Sequence, residues 1–419
     1  MAPDFAWNDY LLNTGLQDKI TYLVVSQPTY IKKLNHILKN TPIATWQAYF
    51  KWRVLSAYSS YLSKPFVDTS FAFYGAILRG VPQNQERWKR GIGLVEGGLG
   101  DALGQLYVAQ YFPPANKVRM EKLVQNLIQA YRQSINSNDW MSIATKKQAQ
   151  VKLDAMMLKI AYPDKWRNYS LLEIDKNDLV GNVMRGNIFE YNRSLSKLGK
   201  PVDRTEWGMT PQTVNAYYNP ELNEIVFPAA ILQSPFFNAD ADDAVNYGGI
   251  GAVIGHEISH GFDDQGSQYD ASGNLRNWWT KEDKKKFTEK TKELVAQYNA
   301  YSPLAGYHVN GELTLGENIA DNSGLAIAYK AYGLSLNGQP SSVIDGLTGN
   351  QRLYMGWAQV WRGKVREAQQ LVYLKTDPHS PDQFRANGSL VNQPGFYDAF
   401  NVESGDKMYL APNKRVIIW

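Results

Sequence analysis

The sequence predicts an α+β protein, mostly α, with an all-α region in front and an α+β region behind it. Three observations carry this reading. From about 15 to 195, apolar residues recur at i, i+3/4 and i+7, the period of an amphipathic helix. After "KLGKPVDRTEWGM" (197–209) the texture changes to short runs rich in Val, Tyr, Ile and Phe. No segment repeats at a fixed length, which excludes a solenoid.

The elements follow in order. "YIKKLNHILKN" (30–40), "TWQAYFKWRVLSAYSSYL" (45–62) and "MEKLVQNLIQAYRQSI" (120–135) read as helices, with breaks at "SKPF", "GVPQNQ", "FPPANK" and "YPDKW". Residues 165–182 are turn-rich. "TVNAYYNPELNEIVFPAAIL" (213–232) reads as two short strands around a polar turn at Asn219, Pro220, Glu221 and Asn223, with Pro228 ending the second. A glycine-rich helix starts near 246, and further helices follow "GENIADNSGL" and cover 354–368. The expected division is a segment over 1–14 that packs with the C-terminal region, a helical domain over 15–200, and an α+β domain over 201–419.

Composition narrows the chemistry. The chain has 419 residues, a net charge of +4, 12 Trp, 26 Tyr and no cysteine. The charge is too small and too dispersed for a nucleic-acid stripe; the densest basic run, 280–294, is interleaved with acids and reads as the solvated face of a helix. Without cysteine, disulfides and thiolate chemistry are excluded, and any metal must be held by His, Asp or Glu. No apolar run approaches the ~18–20 residues of a membrane span. The start, "MAPDFAWNDYLLNTG", has no signal-peptide pattern.

"VIGHEISHGFDD" (253–264) sets two histidines four apart, with Glu257 directly after the first. On a helix His256 and His260 share one face, so both imidazoles can reach one ion, and Glu257 stands close enough to take a proton from a metal-bound water. Three fixed positions also arise by chance, so the pattern needs support. "GELTLGENIADNSGL" (311–325) supplies it. Glu317 and Asp321 are again four apart, in apolar surroundings where a carboxylate is rare unless paired or metal-bound. Glu317 completes a His2Glu set with an open fourth position. Asp321 and Asp263 stand where they can accept the second N–H of the ligand histidines.

"KTDPHSPDQFRANGSL" (375–390) carries His379 and Arg385 in a Pro-broken segment, a surface pair by default but suited to an oxyanion or a substrate carbonyl beside a metal. "VNAYY" (214–218) offers a strand edge and an Asn amide for an extended peptide.

Taken in order, "VNAYYNPELNEIVFPAAILQSPFF", "NYGGIGAVIGHEISHGFDDQG", "GENIADNSGLAIAY", "DPHSPDQFRANGSLVN" and the final Trp419 resemble the neprilysin-like zinc endopeptidases, whose active site has the thermolysin layout. The match covers roughly 205–419, with weaker helical similarity before it. Having no cysteine, the chain resembles the bacterial, oligoendopeptidase O type. The resemblance implies a thermolysin-like zinc domain with a mainly α-helical second domain, and one Zn2+ per chain on His256, His260 and Glu317. It further implies Glu257 as general base, Asp321 and Asp263 as orienting carboxylates, and His379 as stabiliser of the tetrahedral intermediate. Arg385, Asn215 and Ala216 would hold substrate backbone. Ile231, Phe236, Val253, Val360 and Trp361 would wall a pocket for a large hydrophobic side chain after the cut, with Ala252 making it roomier. Oligopeptides are the expected substrates, with no nucleic-acid partner and no membrane span. The resemblance favours a periplasmic or secreted location.

Family members carry a further helical stretch ahead of the part resembling "FAWNDYLL". Two rival readings follow from the residues. In one, the chain is half of a two-chain assembly, or an inactive binding subunit, that needs a separate N-terminal helical partner. In the other it is an aminopeptidase, which would need an acidic anchor for a free amine; no acidic motif clearly supplies one.

Overall fold

The structure, a computed structural model, describes residues 1–419. Helices dominate and three strands form one small sheet, the α+β, mostly α architecture expected. The chain falls into two compact units, one of Met1–Leu99 and Arg167–Arg204, the other of Gly100–Trp166 and Thr205–Trp419.

This division differs from the expected one on two counts. Residues 100–166 fall in the second unit. There the helix Pro114–Ser137 buries Met120, Leu127 and Tyr131 in the same core as Ile254, Ile258 and Leu325. The unpredicted strand β1 (Met157–Ala161) pairs in parallel with β3 (Glu224–Pro228), from Met157 against Glu224 to Ala161 against Pro228. Five residues are too few to reveal a period, and the partner that makes them a strand is remote in sequence. Residues 1–14, expected to pack with the C-terminal region, fall in the first unit. Asn35 Nδ2 donates to Asp4 at 3.0 Å there, and the Tyr191 hydroxyl donates to the Thr14 carbonyl.

The two strands read between 213 and 232 are β2 (Tyr217–Asn219) and β3, and Pro228 closes β3 as expected. The sheet order is β1-β3-β2. β3 is central and buried throughout. β2 runs antiparallel to it, with Tyr217 opposite Val226, and has one free edge. The helix expected over 354–368 is broken instead: Gly349–Val360 ends at Trp361, and Glu367–Thr376 begins after a segment containing Gly363.

Two helices position the site. The histidine helix, Ala252–His260, continues from Asp243–Asn246 through one π-helical turn at Tyr247–Gly251. Its apolar residues are mostly buried, with Ile254 and Ile258 fully enclosed. It crosses the carboxylate helix, Leu315–Ser335, at two glycines. A Cβ on Gly255 would stand 2.6 Å from the Gly324 carbonyl oxygen, and one on Gly324 would stand 2.4 Å from the His256 nitrogen. The backbones therefore touch, and this close approach brings Glu317 and Asp321 up to the histidines.

Candidate metal centre

His256 and His260 project from one face of their helix, with their Nε2 atoms 2.9 Å apart. Glu317 Oε2 lies 3.2 Å from His256 Nε2 and 3.6 Å from His260 Nε2. Each ring is oriented from behind. His256 Nδ1 is 2.8 Å from Asp321 Oδ1, and His260 Nδ1 is 2.7 Å from Asp263 Oδ2. A carboxylate only accepts, so both Nδ1 atoms carry a proton, and in the neutral imidazoles both Nε2 atoms turn a lone pair inward.

The donor set fits a metal. Two imidazole lone pairs and one carboxylate oxygen converge, all within 4.8 Å of one another. Glu317 Oε2 is buried and makes no well-formed hydrogen bond, although three imidazole nitrogens lie within 3.6 Å of it. What such a set lacks is a cation, and a soft–hard mixture of two nitrogens and one oxygen is the ligand set of a catalytic zinc.

The electrostatics agree with this chemistry. Burial would raise the Glu317 carboxyl, but His256, His260 and His379 outweigh it and hold Glu317 well below the usual carboxylate range. Burial likewise opposes ionisation of Asp321, and Arg385 overcomes it, keeping Asp321 an anion. Glu257 goes the other way: burial pushes its carboxyl up, countered in part by the two histidines. A carboxyl moved towards neutrality is suited to accept and then return a proton.

Asp263 is locked by its own loop, accepting the backbone N–H of Gln265 at 2.8 Å and of Gly266 at 2.6 Å. Lys152, fully buried, reaches into the same loop and donates to the carbonyls of Gly266 at 2.6 Å and Tyr269 at 2.8 Å. Sequence reading missed Lys152, because a lysine in a polar helix, here Ile143–Asp154, shows nothing of the loop it will meet.

Arg385 sits on a helix, Asp382–Leu390, rather than in a loop. Its Nε and Nη2 donate to the two oxygens of Asp321 at 2.7 and 2.8 Å, and its guanidinium lies 4.0 Å over the Trp361 ring. His379 does stand in a loop, with Nε2 3.3 Å from Glu317 Oε2 and Nδ1 2.7 Å from Asp377 Oδ1. Asp377 is a second omission; only the two-residue spacing to His379 could have signalled it.

A cavity of about 540 Å³ opens over these groups. Of the predicted residues, Asn215, Ala216, Ile231, Phe236, Val253, Trp361, His379 and Arg385 line it together with the ligand set, Glu257, Asp263 and Asp321. Two expectations differ. Val360 packs against the core instead, and Trp357, one turn before it, supplies the wall. Ala252 is fully buried and does not reach the cavity, so it does not set its size. The Ala216 N–H is taken by Asn215 Oδ1 at 2.9 Å, which leaves the Asn215 amide nitrogen and the Ala216 carbonyl for a bound chain.

Residues 215–416 and 1–163 match the two profiles described as Peptidase family M13. Neprilysin-1 of Caenorhabditis elegans is 40% identical over 414 residues, covering 95% of this chain and 54% of that protein. Endothelin-converting enzyme 1 of Mus musculus is 37% identical over 436 residues, covering 100% of this chain and 56% of that one. Among solved structures, the Mycobacterium tuberculosis zinc metalloprotease Zmp1 in complex with inhibitor superposes with a TM-score of 0.96 at 51% identity, over 100% of this chain and 64% of that one. The chain thus spans about half the length of the curated relatives it matches.

Proposed function

The chain belongs to peptidase family M13, and from that premise we propose that it is a zinc-dependent endopeptidase acting on oligopeptides. The observation that carries the proposal is the convergence of His256 Nε2, His260 Nε2 and a Glu317 oxygen beside a buried Glu257. One zinc ion per chain would sit on these three residues and supply Lewis acidity to a water and a carbonyl oxygen.

The side chains do the rest. Glu257 takes the proton of the attacking water and returns it to the departing amine. Asp321 and Asp263 keep each imidazole in the tautomer with a free Nε2. His379, its Nδ1 held by Asp377 and its pKa raised against burial by the Glu317 and Asp377 carboxylates, would in its protonated form donate from Nε2 to the developing oxyanion. Arg385 spends two N–H groups on Asp321, so only the remaining edge of its guanidinium serves a substrate carbonyl. The peptide would add along the free edge of β2, bonded by Asn215 and Ala216. Ile231, Phe236, Val253, Trp357 and Trp361 support a preference for a large hydrophobic residue on the primed side of the cut. A periplasmic or secreted location is part of this reading and rests on the family resemblance; no helix is long and apolar enough to cross a membrane.

Replacing Glu257 with Gln tests the reading, using a fluorogenic peptide with Phe or Leu after the scissile bond. Zinc content should stay at one per chain while hydrolysis falls by about 10²–10⁴-fold. Undiminished cleavage by the Gln variant would remove Glu257 from the chemistry.

A specific observation favours a second statement about partners. In the first unit the apolar helix Ile43–Tyr58 leaves Phe50, Trp52 and Val54 more than half exposed, a surface suited to a further helical layer. That layer, whether a separate N-terminal helical chain or not, would be read out by the size of the purified protein with and without a candidate partner; a monodisperse, active monomer contradicts it. The complete ligand set argues against an inactive binding subunit.

A further inference from the structure

Two polar groups of the centre, Asp263 and His379, are supplied by loops, and Asp263 is locked by the backbone of its own loop. The helix that leads into His379, Glu367–Thr376, has no buried residue, and the imidazole itself is 45% exposed. Its partner Asp377 belongs to the same loop and would move with it. Something else has to fix the distance between His379 and the metal ligands.

Ser380, the next residue, is buried, and its hydroxyl donates to Asn318 Oδ1 at 2.7 Å. Asn318 is fully buried and directly follows Glu317. Its amide donates to Thr314 Oγ1 at 2.9 Å, and the Thr314 hydroxyl donates to the Asn310 carbonyl at 3.0 Å. Three bonds thus run in one direction from the loop to the backbone at the start of the carboxylate helix. Each end of the Ser380–Asn318 bond is adjacent in sequence to a group of the centre, His379 on one side and Glu317 on the other.

We propose that Ser380, acting through Asn318, is a positioning residue that sets the His379 imidazole against the Glu317 carboxylate and so places the oxyanion donor. This rests on the peptidase reading for its consequence in catalysis, not for the placement itself. A buried hydroxyl in a one-directional chain has no alternative partner, so Ser380→Ala removes the tether at little cost in volume, leaving the loop held only by its own turns. Displacing a donor by a fraction of an ångström to one ångström weakens transition-state contacts far more than substrate binding.

The test uses the full chain in two measurements. In the metal-free protein labelled with 13Cε1-histidine, the His379 signal is assigned by its loss in His379→Ala. Ser380→Ala should shift or broaden that signal and leave those of His256 and His260 in place. Asn318→Leu, close in size, should move the same signal. In the zinc-loaded enzyme, Ser380→Ala should lower kcat by about tenfold or more with KM within about twofold, and should have no further effect once His379 is Ala. An unmoved His379 signal, or a loss of kcat that persists in the His379→Ala background, overturns the proposal. If the wild-type chain cleaves no peptide, the peptidase reading fails, and the histidine spectra still decide the placement.

Discussion

The two units use the same kinds of residue in opposite ways. In the second, Trp357, Tyr131, Tyr298 and Phe262 are enclosed, and every proposed ligand, proposed orienting carboxylate and cavity wall comes from that unit alone. In the first, only Ala2 and Ser59 are buried, while Trp88 is 61% and Tyr22 79% exposed. The difference teaches that the chemistry depends on one core. The polar groups of the centre are affordable because a continuous apolar core and paired carboxylates surround them. The first unit has helices whose apolar residues lack such a partner within the unit.

This contrast can be broken by substitution, and the largest effect belongs to Arg385. Arg385→Met strips both oxygens of the fully buried Asp321 of their guanidinium bonds. It should destabilise the second unit by about 3–5 kcal/mol in urea unfolding. A change below 1 kcal/mol would mean the pair is more solvated than its burial implies.

A smaller effect is expected at Lys152. Lys152→Met leaves the Gly266 and Tyr269 carbonyls without their donor, which should cost about 1–3 kcal/mol near pH 7. Its pH dependence is diagnostic. Burial lowers the Lys152 ammonium from 10.5 to about 7 in the folded chain. Between about 7 and 10.5 the unfolded chain therefore holds a proton that the folded chain has released, and this residue makes stability rise with pH across that window. The Met variant should lose that contribution, which parallel urea titrations at pH 7 and 10 will show.

The smallest effect belongs to the first unit. Phe50→Ser replaces a side chain 57% exposed. It should leave stability within about 0.5 kcal/mol while reducing self-association in sedimentation. A large loss of stability would show that this face is covered in solution.

Much of the centre was legible in the sequence because its spacings are local. His256 and His260, and again Glu317 and Asp321, are one helical turn apart, so each pair declares a shared face before any fold is known. The turn at 219–223 and the stop at Pro228 were equally local. What stayed hidden depends on contacts between remote segments. Strand β1 exists because β3 pairs with it. Lys152 matters because its helix is carried into the core with the histidine loop. Trp357 rather than Val360 walls the cavity because Trp357 and Trp361, four apart, share the face that lines it, and what a face packs against is settled by remote segments. The Ser380–Asn318 bond joins two neighbours of recognised residues, neither of which carries a pattern of its own.

The central claim is that His256, His260 and Glu317 hold one zinc ion. Zinc X-ray absorption on the purified, zinc-loaded chain tests it most directly. One ion per chain is expected, with two imidazole nitrogens and a carboxylate oxygen at about 2.0–2.2 Å, and loss of an imidazole shell in His260→Ala. An ion surrounded by oxygen alone, or a spectrum unchanged by His260→Ala, would contradict it.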